Sequence, residues 1–110
     1  MMPEDGVISC TAAGGLVLHI EAERYRITPD DVRALIFSGR PAPIFRERAR
    51  QVHGAFTGEV TIEGYAALNA AGRAVVIRTG EGIWMIPAVS LRHVACGEAA
   101  SAPLFSEVVI

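Results

Sequence analysis

Two cysteines, three histidines and a few adjacent carboxylates are the side chains of this 110-residue chain with the types to do chemistry. His93-x-x-Cys96 has the spacing of half a zinc site. The other half would have to come from Cys10 with His19 or His53, and no second short motif supplies it. A buried thiol beside an ordinary histidine accounts for the pair, so no metal ligand is expected. Cys96 or Cys10 with a histidine would also make a nucleophile and base. Cys96, however, stands between Ala95 and Gly97 in an apolar run, the setting of a core thiol. No nucleophile elbow, phosphate loop or His-Glu-x-x-His motif occurs. Glu21/Glu23 suit a charge-matched hairpin, and Asp30/Asp31 suit a helix N-terminus. The expectation is a non-catalytic protein without a cofactor.

The ten basic residues are all arginine, and the net charge is −2. The basic cluster is Arg40, Arg46, Arg48 and Arg50, with His53 nearby, Phe45 beside it and Glu47 interrupting it. Phosphate binding asks for a broader basic surface. A nucleic-acid-binding module built on segment 40–53 is therefore the alternative reading rather than the first. The longest stretch without Asp, Glu, Lys or Arg, Gly6–Ile20, has fifteen residues, against the roughly twenty of a membrane-spanning helix. The acidic start, Met1 to Gly6, lacks the blocks of a signal peptide. A cytoplasmic protein with reduced cysteines is the expectation.

The elements that would position these residues are written twice. Sliding the chain by 58 residues lays Cys10–Gly39 on Leu68–Gly97, pairing Val17 with Val75, Glu23 with Glu81, Pro29 with Pro87 and Gly39 with Gly97. The first copy predicts a hairpin turning at Ala22-Glu23, with Leu18 opposite Ile27 and Ile20 opposite Tyr25 on an apolar face. The second predicts a hairpin turning at Gly80-Glu81-Gly82, with Val76 opposite Met85 on the inner face. Its outer face pairs Ile77 with Trp84 and Val75 with Ile86. Each hairpin runs into a proline that starts a helix or a single turn. The first has Thr28 as N-cap, Pro29 at the first helical position, two acids in the first turn, and Gly39 to stop it.

Between the copies, Phe45, Ala49 and Val52 share a helical face, which predicts a short linking helix over 44–53. Glu59–Leu68 reads as a long strand with Val60, Ile62, Ala66 and Leu68 on one face, and Phe105–Ile110 as an edge strand. The whole is one domain, 1–110: an α+β, mostly β fold, a small barrel- or sandwich-like unit of two pseudo-symmetric ββ(α) repeats. Repeat one covers about 7–45 and repeat two about 59–105.

Val75, Ile77, Trp84 and Ile86 would form an apolar outer face too large to leave in water. Either the linking helix covers it or another chain does. The expected function is self-association, as a homodimer, or docking of another protein, with these four residues as the contact surface.

Overall fold

A computed structural model describes residues 4–21, 23–52 and 54–106, with side chains described outside 4, 5, 47–52 and 55–59. The element order is β1 (Glu4–Cys10), β2 (Leu16–Ile20), β3 (Glu23–Ile27), α1 (Pro29–Ser38), β4 (Ala42–Val52), β5 (Ala55–Leu68), β6 (Ala74–Thr79), β7 (Gly82–Pro87), α2 (Ala88–Ala95) and β8 (Ser101–Ser106). Each strand pairs antiparallel with its neighbour in sequence, and β8 pairs back with β1, so the sheet closes into a barrel.

Alternation decides what fills it. Inward positions carry Ile8, Leu16, Leu18, Tyr25, Ile27, Ile44, Ala66 and Leu104, all essentially inaccessible. Closure of the sheet supplies one continuous apolar core. The helices add Val32, Leu35, Leu91 and Val94 to that core. No described side-chain nitrogen or oxygen is buried without a partner.

Local chemistry explains the elements. Thr28 caps α1: its Oγ1 accepts from the Asp31 amide at 3.3 Å while its hydroxyl donates to Asp31 Oδ2 at 2.7 Å. Gly39 ends α1 at φ 65°, and the amide of Arg40 closes back on the Ala34 carbonyl at 3.1 Å. Such a left-handed cap suits glycine. α2 starts directly after Pro87 without a side-chain cap and is shorter.

Several expectations are corrected. The linking helix expected over 44–53 is absent from its described residues, 44–52: Ala42–Val52 is a strand, paired with β5 along its whole length. The helical spacing of Phe45, Ala49 and Val52 comes without cap residues. A fourteen-residue β5 offers every β4 position a ladder partner, and this pairing overrides the weak helical signal. His53, assigned to that segment, lies outside the described residues.

The β2–β3 register is Leu16↔Ile27, Leu18↔Tyr25, Ile20↔Glu23, two residues from the expected one. Glu21 takes the positive φ of 54° that starts the turn. The shift is even, so the apolar side still faces inward, and it joins Leu16 to Ile27 rather than to Pro29. The β6–β7 register is as expected, Val75↔Ile86, Val76↔Met85 and Ile77↔Trp84, but the faces are reversed. Val75, Ile77, Trp84 and Ile86 are 1%, 0%, 6% and 0% exposed and form the barrel interior. Val76 and Met85 point to the half-covered outside. The closing strand β8 begins at Ser101 rather than Phe105, and it is not an edge: it pairs with both β1 and β7.

Candidate interaction surface on the β4–β5 hairpin

The β4–β5 hairpin outgrows the barrel. β3 pairs with β4 only at Tyr25↔Arg46 and Arg26↔Phe45. β6 pairs with β5 only from Gly64 to Leu68. From Glu47↔Val60 to Val52↔Ala55 the two strands therefore pair only with each other among the described residues. At about 3.4 Å per residue, this arm projects about 20 Å. The principal extents of 49 × 34 × 23 Å and a radius of gyration of 14.2 Å, against about 13 Å for a compact chain of this length, fit a barrel with a projection.

The root of the arm is pinned by charge. Arg46, only 14% exposed, is ion-paired with Glu23 on β3 and lies 3.9 Å from Glu81 in the β6–β7 turn. Its guanidinium carbon sits 6.0 Å from the centre of the Tyr25 ring, at the outer limit of a cation–π contact. One side chain thus ties two hairpin turns to β4. Burial, and after it the negative charge of Glu81, raises the Tyr25 hydroxyl above its ordinary pKa of 10.0; Arg46 opposes them.

A bulge then sets which residues face out. Ile44 pairs with Gly64 and Phe45 with Ile62, leaving Glu63 as the extra residue. A Cβ at Gly64 would lie 1.9 Å from the Arg78 carbonyl oxygen, so the close approach of β6 demands glycine. The Thr61 hydroxyl donates to Glu63 Oε1 at 2.9 Å. One extra residue flips the alternation. Val60, Ile62 and Tyr65 consequently share the outer side, at 49%, 55% and 53% exposure. Ala66, expected beside Val60 and Ile62, faces the core. Gly64 inside the alternating run was the available signal for this break.

Three of the five exposed large apolar side chains described thus lie on one face of one strand; the others, Phe37 and Val89, stand on separate helices. Half-buried Phe45 pairs with Ile62 on the same face.

The remaining candidates are dispersed. Arg40 is exposed between α1 and β4. Arg46 lies on β4 on the side opposite to Phe45, and Arg48 and Arg50 follow it in the same strand with side chains outside those described. His93 Nε2 lies 3.6 Å from the Glu98 carboxylate at an exposed position, and Cys96 is an exposed free thiol at the end of α2. Among the described residues no three histidine, cysteine or acidic side chains gather as metal ligands do. No described helix is long and apolar enough to cross a membrane. No protein-family model, curated protein or solved structure matches the chain.

Proposed function

We propose that this protein is a non-catalytic interaction module that self-associates through the outer face of the β4–β5 hairpin. The observation that carries the reading is the stripe of Val60, Ile62 and Tyr65, continued by Phe45. A strand apolar on one side and polar on the other belongs to a sheet with one covered face. Here the outer side is apolar, while the opposite side holds Arg46. No described element lies over the stripe. A two-stranded projection is marginal by itself in water, which favours its packing on something. A second copy offers a like apolar face through a two-fold, the commonest arrangement of soluble oligomers. The sequence placed the contact at Val75, Ile77, Trp84 and Ile86; their burial moves the proposed contact to β5. Amide exchange tests it: protection at 60–65 rises with protein concentration if copies pack there, and stays constant if they do not.

The nucleic-acid reading has one observation in its favour. A projecting two-stranded ribbon with arginines at alternate positions has the width to enter a major groove. Against it, Arg46 is occupied by Glu23 and Glu81. Low-salt retardation of duplex DNA, lost on Arg48→Gln/Arg50→Gln, would favour this reading; absence of retardation would dismiss it.

We also infer that the barrel arose by duplication. The order of three strands, a helix and a strand occurs twice along the chain. The Thr11 and Asn69 side chains each accept a backbone N–H four residues ahead, in matching loops. An experimental structure in which Leu16–Pro29 and Ala74–Pro87 do not superpose would contradict this origin.

A further inference from the structure

The chain divides at the tip of the β4–β5 arm into two units, 4–52 and 55–106, each of three strands, a helix and a strand. The units meet along two ladders, and the ladders agree rung for rung. In β4–β5, Ala42 pairs with Ala66, Pro43 with Tyr65, Ile44 with Gly64 and, past a bulge, Phe45 with Ile62. In β8–β1, Ala102 pairs with Ile8, Pro103 with Val7, Leu104 with Gly6 and, past a bulge, Phe105 with Glu4. Both glycines lie against a carbonyl of the next strand. A Cβ at Gly6 would stand 2.7 Å from the His19 carbonyl oxygen, and Gly64 meets that of Arg78 in the same manner. The helices follow suit: α1 packs on β4 and β5, α2 on β8 and β1.

One difference separates the joins. Only His53 and Gly54 stand between β4 and β5, whereas β8 and β1 come from opposite ends of the described chain. The β8–β1 ladder therefore forms from packing and hydrogen bonds alone, with no turn to align its strands. The same contacts in β4–β5 do not depend on which copy of the chain supplies each strand.

We infer that two copies of this chain exchange units, so that unit one of each copy closes a barrel with unit two of the other. Exchange rests on the self-association reading, which brings two arms face to face across a two-fold. Stacked sheets lie about 10 Å apart, and the two-fold sets β4 of one arm over β5 of the facing arm. Three residue steps separate Val52 from Ala55, and they reach about 10 Å when extended. Val52 of one arm can thus lead into Ala55 of the facing arm with every ladder bond and core contact retained. Only the tip of each arm changes. Exchange of an identical element is a low-cost route to a dimer. The product is interlocked: the copies part only when the barrels open, so they part no faster than a barrel unfolds.

The test uses native chains, isotope-labelled and unlabelled in equal amounts, unfolded together and refolded at high micromolar concentration. Isotope-filtered nuclear Overhauser effects then report contacts between copies alone. Exchange predicts such contacts inside the barrel, between Ala42 and Ala66 across β4–β5 and between Ile8 and Ala102 across β8–β1. Leu18 and Tyr25, paired within unit one, should show none between copies. Contacts between copies confined to Val60, Ile62 and Tyr65 overturn the exchange and leave the self-association reading standing. A single-chain mass with no contact between copies overturns both.

Discussion

The same hairpin, β4–β5, lives in two environments. Its lower part, Ala42–Arg46 with Gly64–Leu68, is flanked by β3 and β6 and sends Ala42, Ile44 and Ala66 into the core. Its upper part, beginning at Glu47↔Val60, has no flanking strand among the described residues, and Val60, with Ile62 just below it, turns to the outside. Along β5 the sequence keeps placing apolar residues at alternate positions, as in Val60 and Ile62 above the bulge and Ala66 and Leu68 below it. The neighbouring strands, and the bulge at Glu63, decide whether an apolar residue serves the fold or is left for a partner.

That contrast can be broken in order of severity. The largest effect belongs to Trp84→Glu, which forces a carboxylate into the barrel interior. Its cost is on the order of the whole stability of a small domain, about 5–15 kcal/mol, and the cooperative melt followed by circular dichroism should be lost. A folded, monomeric Trp84→Glu protein would return that face to the surface. Gly64→Ala, placing a methyl group against the Arg78 carbonyl, should cost about 3 kcal/mol by denaturant titration. Arg46→Met, at the boundary between the two environments, should cost about 2 kcal/mol by leaving Glu23 without its hydrogen-bonded partner.

Tyr25 gives a pH test at the same boundary. Its hydroxyl is raised above 10.0 in the folded chain, by burial first and by Glu81 next. The unfolded chain therefore loses this proton first as pH rises. The contribution is complete below pH 10, and stability falls as pH climbs from there through the raised folded value. Tyr25→Phe should flatten that alkaline decline, measured as melting temperature against pH. The smallest effect on folding is expected at the tip of the comparison: Ile62→Thr should change monomer stability by less than about 0.5 kcal/mol.

Much of the barrel was legible in the residues. The Thr28-Pro29-Asp30-Asp31 start and the Gly39 stop of α1 depend on contacts within one turn, and local chemistry suffices to read them. The β6–β7 register was legible for the same reason, because Gly80-Glu81 fixes it. Which side of that hairpin faces inward was not. Both sides are apolar, and the choice is made by closure of the sheet, which joins residues far apart in the chain. The 44–53 segment failed similarly: its helical spacing is local, whereas the β5 strand that claims it lies beyond the turn. The candidate surface was missed because Val60, Ile62 and Ala66 appear in phase until Glu63 is counted as the extra residue of a bulge. Arg46 was read as part of a basic cluster, since the two glutamates that hold it stand on separate turns.

The most direct measurement is molar mass in solution by light scattering across a concentration series, for the native chain and for Val60→Glu/Ile62→Glu. Self-association through β5 predicts a native mass rising to twice 11.7 kDa, while the double variant, with an unchanged melt, stays at the single-chain mass. A native protein that remains a monomer at high micromolar concentration, or a double variant that dimerises as well as the native chain, would contradict it.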